Sequence, residues 1–69
     1  MTFTKSNAYT ARNTRTGETF TVMCTHNGIN GVMFVDANGN TFKCFKQTSA
    51  YSDTVMALDV RKHVSVKAA

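Results

Sequence analysis

Four carboxylates, two cysteines and two histidines are the residues of this chain that could do acid–base, nucleophilic or metal chemistry. Glu18, Asp36, Asp53 and Asp59 are scattered among turns and the last segment, with no pairing that would split two pKa values into an acid and a base. A thiol nucleophile would need Cys24 or Cys44 exposed beside His26 or His63. Free cysteine is among the most buried residue types, so both are read as structural thiols. Cys24, His26, Cys44 and His63 are the right ligand types for zinc, but they lack the close paired spacing of zinc modules. The glycines match neither a P-loop nor a dinucleotide-binding pattern. The expectation is a non-enzyme with no cofactor, no metal site and no small-molecule substrate.

Other residue types point to binding. Lysine and arginine outnumber aspartate and glutamate by 8 to 4, which favours polyanionic partners such as nucleic acid or acidic protein surfaces. These charges are dispersed, unlike a basic arm or a nuclear-localisation segment. No apolar run approaches the roughly 20 residues that cross a bilayer. Met1 to Thr10 also lacks the apolar core of a secretory signal, so a cytoplasmic protein without membrane contact is expected. At 69 residues, 42 % apolar and 17 % charged, the chain reads as one domain over 1–69, loose at 1–8 and with a tail at 68–69. A core this small must use nearly every large apolar side chain.

The elements that position these groups are short strands joined by tight turns. Asn27-Gly28 and Asn38-Gly39 each favour a two-residue hairpin turn, because Gly and Asn accept positive φ at little cost. Pairing about Asn38-Gly39 sets Val35 opposite Phe42 and Met33 opposite Cys44. Pairing about Asn27-Gly28 sets Met23 opposite Val32 and Val22 opposite Met33. With side chains alternating across each strand, one face collects Phe20, Val22, Cys24, Met33, Val35, Phe42 and Cys44. In this register Cys24 and Cys44 lie roughly 12 Å apart, given ~4.8 Å between strands and ~3.3 Å per residue. That exceeds the ~7 Å reach of a disulfide, so two reduced, buried thiols are expected.

Upstream, Thr14-Arg15-Thr16-Gly17 reads as a four-residue turn with Gly at a left-handed position, which adds Tyr9 and Ala11 to the core face and sends Arg12 outward. After Phe45 the turn chemistry stops and Lys46 to Asp53 reads as loop. Thr54, Met56, Leu58, Val60, Val64 and Val66 fit a period of two, yet Asp53 could cap a helix. The reading adopted is a single helical turn between Ser52 and Asp59, followed by a strand from Val60 to Lys67.

Together these make an all-β fold: a small five-stranded antiparallel barrel or curled sheet, with one short helical turn before the last strand. In loop order and length the chain resembles the SH3-like small barrels, whose three-strand central meander is completed by the first and last strands. The likeness is one of topology. The first loop is basic and Trp is absent, so the acidic loop and aromatic cluster of peptide-binding SH3 domains have no counterpart. The RNP aromatic signature of RRM sheets is absent too.

On the expected register the reverse face of the meander carries Met23, Val32, Phe34, Lys43 and Phe45, of which Met23, Val32, Phe34 and Phe45 form a second apolar set that something must cover. Tyr51, Met56, Leu58 and Val60 are candidates to fold over it; self-association or a partner are the alternatives. The function expected is a protein-interaction domain, a small adaptor or inhibitor of the kind that phages and mobile elements encode. It would bind through this apolar and basic face or by strand addition at an exposed sheet edge. The alternative is a nucleic-acid-binding barrel. There a basic patch of Arg12, Arg15, Lys46, Arg61 and Lys62, with Lys43, takes the phosphates while Phe34 and Phe45 stack on bases.

Overall fold

Threonine, β-branched and aromatic residues alternate through most of the chain. The computed structural model, which describes residues 3–29, 31–48 and 55–68, folds them into six antiparallel strands. These are β1 (Ala8–Asn13), β2 (Thr19–Asn27), β3 (Gly31–Asp36), β4 (Thr41–Thr48), β5 (Val55–Asp59) and β6 (Val64–Lys67). Each strand pairs with its neighbours in sequence, and β6 pairs with β1 to close a barrel. The small antiparallel barrel is as expected, with six strands instead of five and no helix among the described residues. Closure also removes the free sheet edge that strand addition would need. Three hairpin loops, at 14–17, 37–40 and 60–63, lie at one end, here the upper end; the β2–β3 connection, entered at Gly28, lies at the lower.

The first hairpin forms as its sequence predicts. The Asn13 amide donates to the Glu18 carbonyl at 2.8 Å, and Gly17 takes φ +80°. The Asn13 Oδ1 accepts from the amides of Arg15 and Thr16, at 2.9 and 3.1 Å. Ala11 is buried and Arg12 exposed, as the four-residue loop requires.

Both Asn-Gly hairpins depart from two-residue turns. At the upper end the loop is Ala37-Asn38-Gly39: the Asp36 amide donates to the Asn40 carbonyl at 3.0 Å, and Gly39 takes φ +83°. Asp36 decides this. Its Oδ1 accepts from the amides of Asn38 and Asn40, both at 2.9 Å, and its Oδ2 from the Asn40 side chain at 3.0 Å. An aspartate opening the turn and a glycine three residues on favour a three-residue loop ending in a left-handed residue. The slip pairs Phe34 with Phe42 and Val32 with Cys44. At the lower end Asn27 remains in β2, paired with Val32, and the turn closes where the Gly28 amide donates to the Gly31 carbonyl at 2.7 Å. A bulge between Cys24 and His26 completes the shift.

The two slips have a joint effect. Each is odd along most of its length, so β2 and β4 keep their expected inward faces while β3 turns over. Val32 and Phe34 enter the core, and Met33 and Val35, expected inside, are half-buried on the outside. Burying phenylalanine in place of methionine removes a large apolar surface from water.

The last hairpin replaces the expected helical turn and Val60–Lys67 strand. Residues 55–59 are strand; Tyr51 and residues 52–54 lie outside the described residues. Asp59 Oδ1 accepts from the Lys62 amide at 3.1 Å, and His63 takes φ 56°, filling the position that Gly17 holds in the first loop. The Thr14 amide and hydroxyl both donate to the His63 carbonyl, at 2.8 and 3.2 Å, tying the two loops together.

From Phe3 onward the first residues pack against the barrel. Phe3 is 1 % exposed and packs edge-on against Tyr9 and Phe34, with ring centroids 5.0 and 5.1 Å away. The Ser6 amide donates to the Cys24 carbonyl and the Cys24 amide to that of Asn7, extending the pairing toward the chain start. The remaining core comprises Ala11, Val22, Cys24, Val32, Phe34, Phe42, Cys44, Ala57, Val64 and Val66. Both cysteines are buried and unbridged, as expected.

Candidate functional site

Outward-facing residues of β4 and β5, with the turn at 60–63, frame an open groove of about 540 Å³ on the barrel wall. Strand alternation sends Thr41, Lys43 and Phe45 outward from β4 and Leu58 from β5, with Phe45 directly opposite Leu58. Val60, Arg61 and Lys62 close the upper end. The floor is apolar: Phe45 is 47 % and Val60 66 % exposed, high values for side chains of this kind. The rim is cationic. Its one carboxylate, Asp59, is 7 % exposed and turned inward, where it receives the Lys62 amide.

Lys43, Phe45, Arg61 and Lys62, separated by up to 19 positions in sequence, thus come together as one site. Lys62 is a fixed part of its wall: its ammonium donates to the Thr41 carbonyl and lies 5.2 Å above the Phe42 ring. Met23 is also on the outer surface, 45 % exposed, but stands opposite Val35 on the far side of β3. Val32 and Phe34 are not on this surface, being 1 % and 0 % exposed. Their expected places on the outer face of β3 belong to Met33 and Val35. Leu58 and Val60 were expected as cover for an apolar face and instead form part of one.

The expected basic patch divides. Arg12 lines a second open groove, on β6, β1 and β2, with Lys67 and the hydroxyl side chains of Thr10, Thr19, Thr21 and Ser65. Arg15 is exposed in the first loop. Lys46 turns toward the lower end, where its ammonium donates to Asn27 Oδ1 at 2.9 Å. No signal in the turn chemistry of Asn27 pointed to that bond, because it joins residues 19 positions apart.

Neither thiol has the setting of a nucleophile. Burial pushes the Cys44 thiol up to about 12, with the Asp59 charge adding to the effect. Cys24 is also raised by burial, partly offset by its bond to the His26 carbonyl and by the Lys46 charge. Both are protonated at neutral pH. Asp36 is held below the ordinary carboxylate range, first by the Asn40 side chain and then by backbone donors and Lys62. Among the described residues no three His, Cys, Asp or Glu side chains converge, and no helix is long and apolar enough to cross a membrane.

The site and fold define a small closed antiparallel barrel with an apolar, cation-rimmed groove on its wall. No protein-family model matches the chain, and comparisons with curated proteins and with solved structures give no significant match.

Proposed function

We propose that this barrel is a non-enzymatic protein-interaction domain, an adaptor or inhibitor, that holds an acidic partner segment with an apolar anchor in the β4–β5 groove. The carrying observation is the pairing of a floor of exposed Phe45 and Val60 and half-buried Leu58 with Lys43 and Arg61 on the rim. Apolar anchors in a groove supply most of the energy of such contacts, and surrounding charges set orientation and encounter rate. A second copy of the chain suits the groove poorly, since two-fold docking would set one cationic rim against another. Nucleic acid is less favoured than protein because Phe34 lies in the core, leaving Phe45 as the one outward phenylalanine among the described residues. Two unbridged thiols are in keeping with a reducing, cytoplasmic setting.

The test is a titration of isotopically labelled protein, followed by NMR, with two probes in turn: a short acidic peptide bearing central Phe and Leu, and a mixed-sequence single-stranded oligonucleotide. The peptide is expected to shift Lys43, Phe45, Leu58 and Val60. Lys43→Glu with Arg61→Glu is expected to weaken it about tenfold, at up to ~1 kcal/mol for each exposed pair. A peptide that leaves Phe45 and Leu58 unmoved overturns the proposal. So does an oligonucleotide that binds this groove more tightly than the peptide does, with the steep salt dependence of phosphate contacts.

A further inference from the structure

The two Asn-Gly pairs are alike in sequence and unlike in their surroundings. An asparagine followed by glycine can lose its amide by internal attack: the following backbone nitrogen reaches the side-chain carbon easily when that residue has no Cβ. Two conditions decide whether a folded chain permits this. The asparagine side chain must be free to turn, and the glycine amide must be free to leave its hydrogen bond.

Asn27 meets neither condition. Its Nδ2 donates to the Phe3 carbonyl at 2.6 Å and its Oδ1 accepts from the Lys46 ammonium at 2.9 Å, so both ends of the amide are held. The Gly28 amide is engaged as well, at 2.7 Å from the Gly31 carbonyl. Asn38 is exposed at the tip of the β3–β4 loop, and among the described residues nothing bonds its side chain; only its backbone amide is used, by Asp36. The Gly39 amide sits 3.2 Å from the Asp36 carbonyl, a long bond, and nothing lies within 4 Å of where a Gly39 Cβ would be.

We infer that Asn38 is a site of spontaneous backbone-assisted deamidation in the folded protein and that Asn27 is protected from it. The deprotonated Gly39 nitrogen attacks Asn38 Cγ, a new N–C bond forms, and the Cγ–Nδ2 bond breaks. Nδ2 leaves as ammonia, taking up a proton that replaces the one lost from Gly39. Water opens the cyclic imide at either carbonyl, leaving aspartate or, with the main chain rerouted through the side chain, isoaspartate. No oxidant or reductant takes part. The product places a carboxylate two residues from Asp36 at the upper end and removes one unit of the chain's positive charge.

The test is incubation of the full chain in mildly alkaline buffer at body temperature, with isoaspartate located by peptide mapping. Conversion at Asn38 is expected to exceed that at Asn27 by about tenfold or more, since two hydrogen bonds of ordinary strength keep released Asn27 a minor species. In concentrated denaturant the two sites are expected to convert at similar rates. Gly39→Ala, which removes the flexible attacking residue at the cost of backbone strain at φ +83°, should suppress conversion at 38 in the unfolded chain too. Equal conversion at both sites in the folded protein, or conversion at neither while both react in denaturant, overturns the inference.

Discussion

The two ends of the barrel are closed by different physics. At the lower end a residue from the start of the chain, Phe3, fills the opening and packs against Tyr9 and Phe34, while Asn27 joins the Phe3 carbonyl to Lys46. At the upper end three hairpin loops meet over a tilted pair, Phe20 and Phe42, with centroids 5.7 Å apart and Lys62 above the second ring. The lower closure rests on a wholly buried aromatic plug, and the upper adds turn chemistry and polar contacts to the Phe20–Phe42 pair. Stability is therefore expected to concentrate below. The upper end is left free to carry charge and to frame the groove, in the way that loops on a rigid scaffold commonly carry binding residues.

Removing each closure should separate the two sharply. Phe3→Ala is expected to cost about 3–5 kcal/mol, the usual range for emptying a buried phenylalanine site. A chain of this size commands about 3–5 kcal/mol from its core in total, so the variant should be largely unfolded at room temperature by circular dichroism, with Phe3→Leu partly restored. A urea midpoint close to that of the parent would show that the plug does not hold the lower end.

At the upper end the matched loops offer a smaller, signed contrast. Gly17→Ala should destabilise by about 1–2 kcal/mol, because φ +80° places a Cβ against the following carbonyl. His63→Gly should be neutral or stabilising, since it relieves the same kind of strain while giving the unfolded chain more freedom. If both substitutions destabilise equally, His63 contributes through its imidazole, and the likeness between the loops is confined to the backbone. The smallest effect should come from Lys62→Gln, about 0.5–1 kcal/mol for an exposed cation–π contact, measured by thermal unfolding. A loss as large as that of Phe3→Ala would mean that the two ends are not different in kind.

The strain at His63 also bears on the groove. The His63 carbonyl takes both donors of Thr14, and Asp59 takes the Lys62 amide, so Val60, Arg61 and Lys62 are held in a defined turn. Sequence reading placed Lys43 and Phe45 on the outer face by alternation along their strand, and added Arg61 and Lys62 as cations of the last segment. It did not find that Leu58 and Val60 complete the floor, because the segment was divided between a helical turn and a single strand. A hairpin whose left-handed residue is histidine lacks the glycine that marked the first loop. Phe3 was missed for a related reason: nothing local distinguishes a plugging aromatic from a terminal one.

By itself the sequence determined the all-β class, the antiparallel meander, the first hairpin to the residue, and the inward faces of β1, β2 and β4. All of these follow from alternation and glycine placement, which act over a few residues at a time. Only the tertiary structure decided which face of β3 is buried. Two odd register shifts cancel across the meander, so local patterns left β2 and β4 consistent with either arrangement. What separates them is the Asp36 side chain in one turn, the bulge beside Cys24 near the other, and the place for Phe34 between Phe3 and Phe42. Those are contacts between distant parts of the chain, and they carried Phe34 from an expected binding surface to the centre of the barrel.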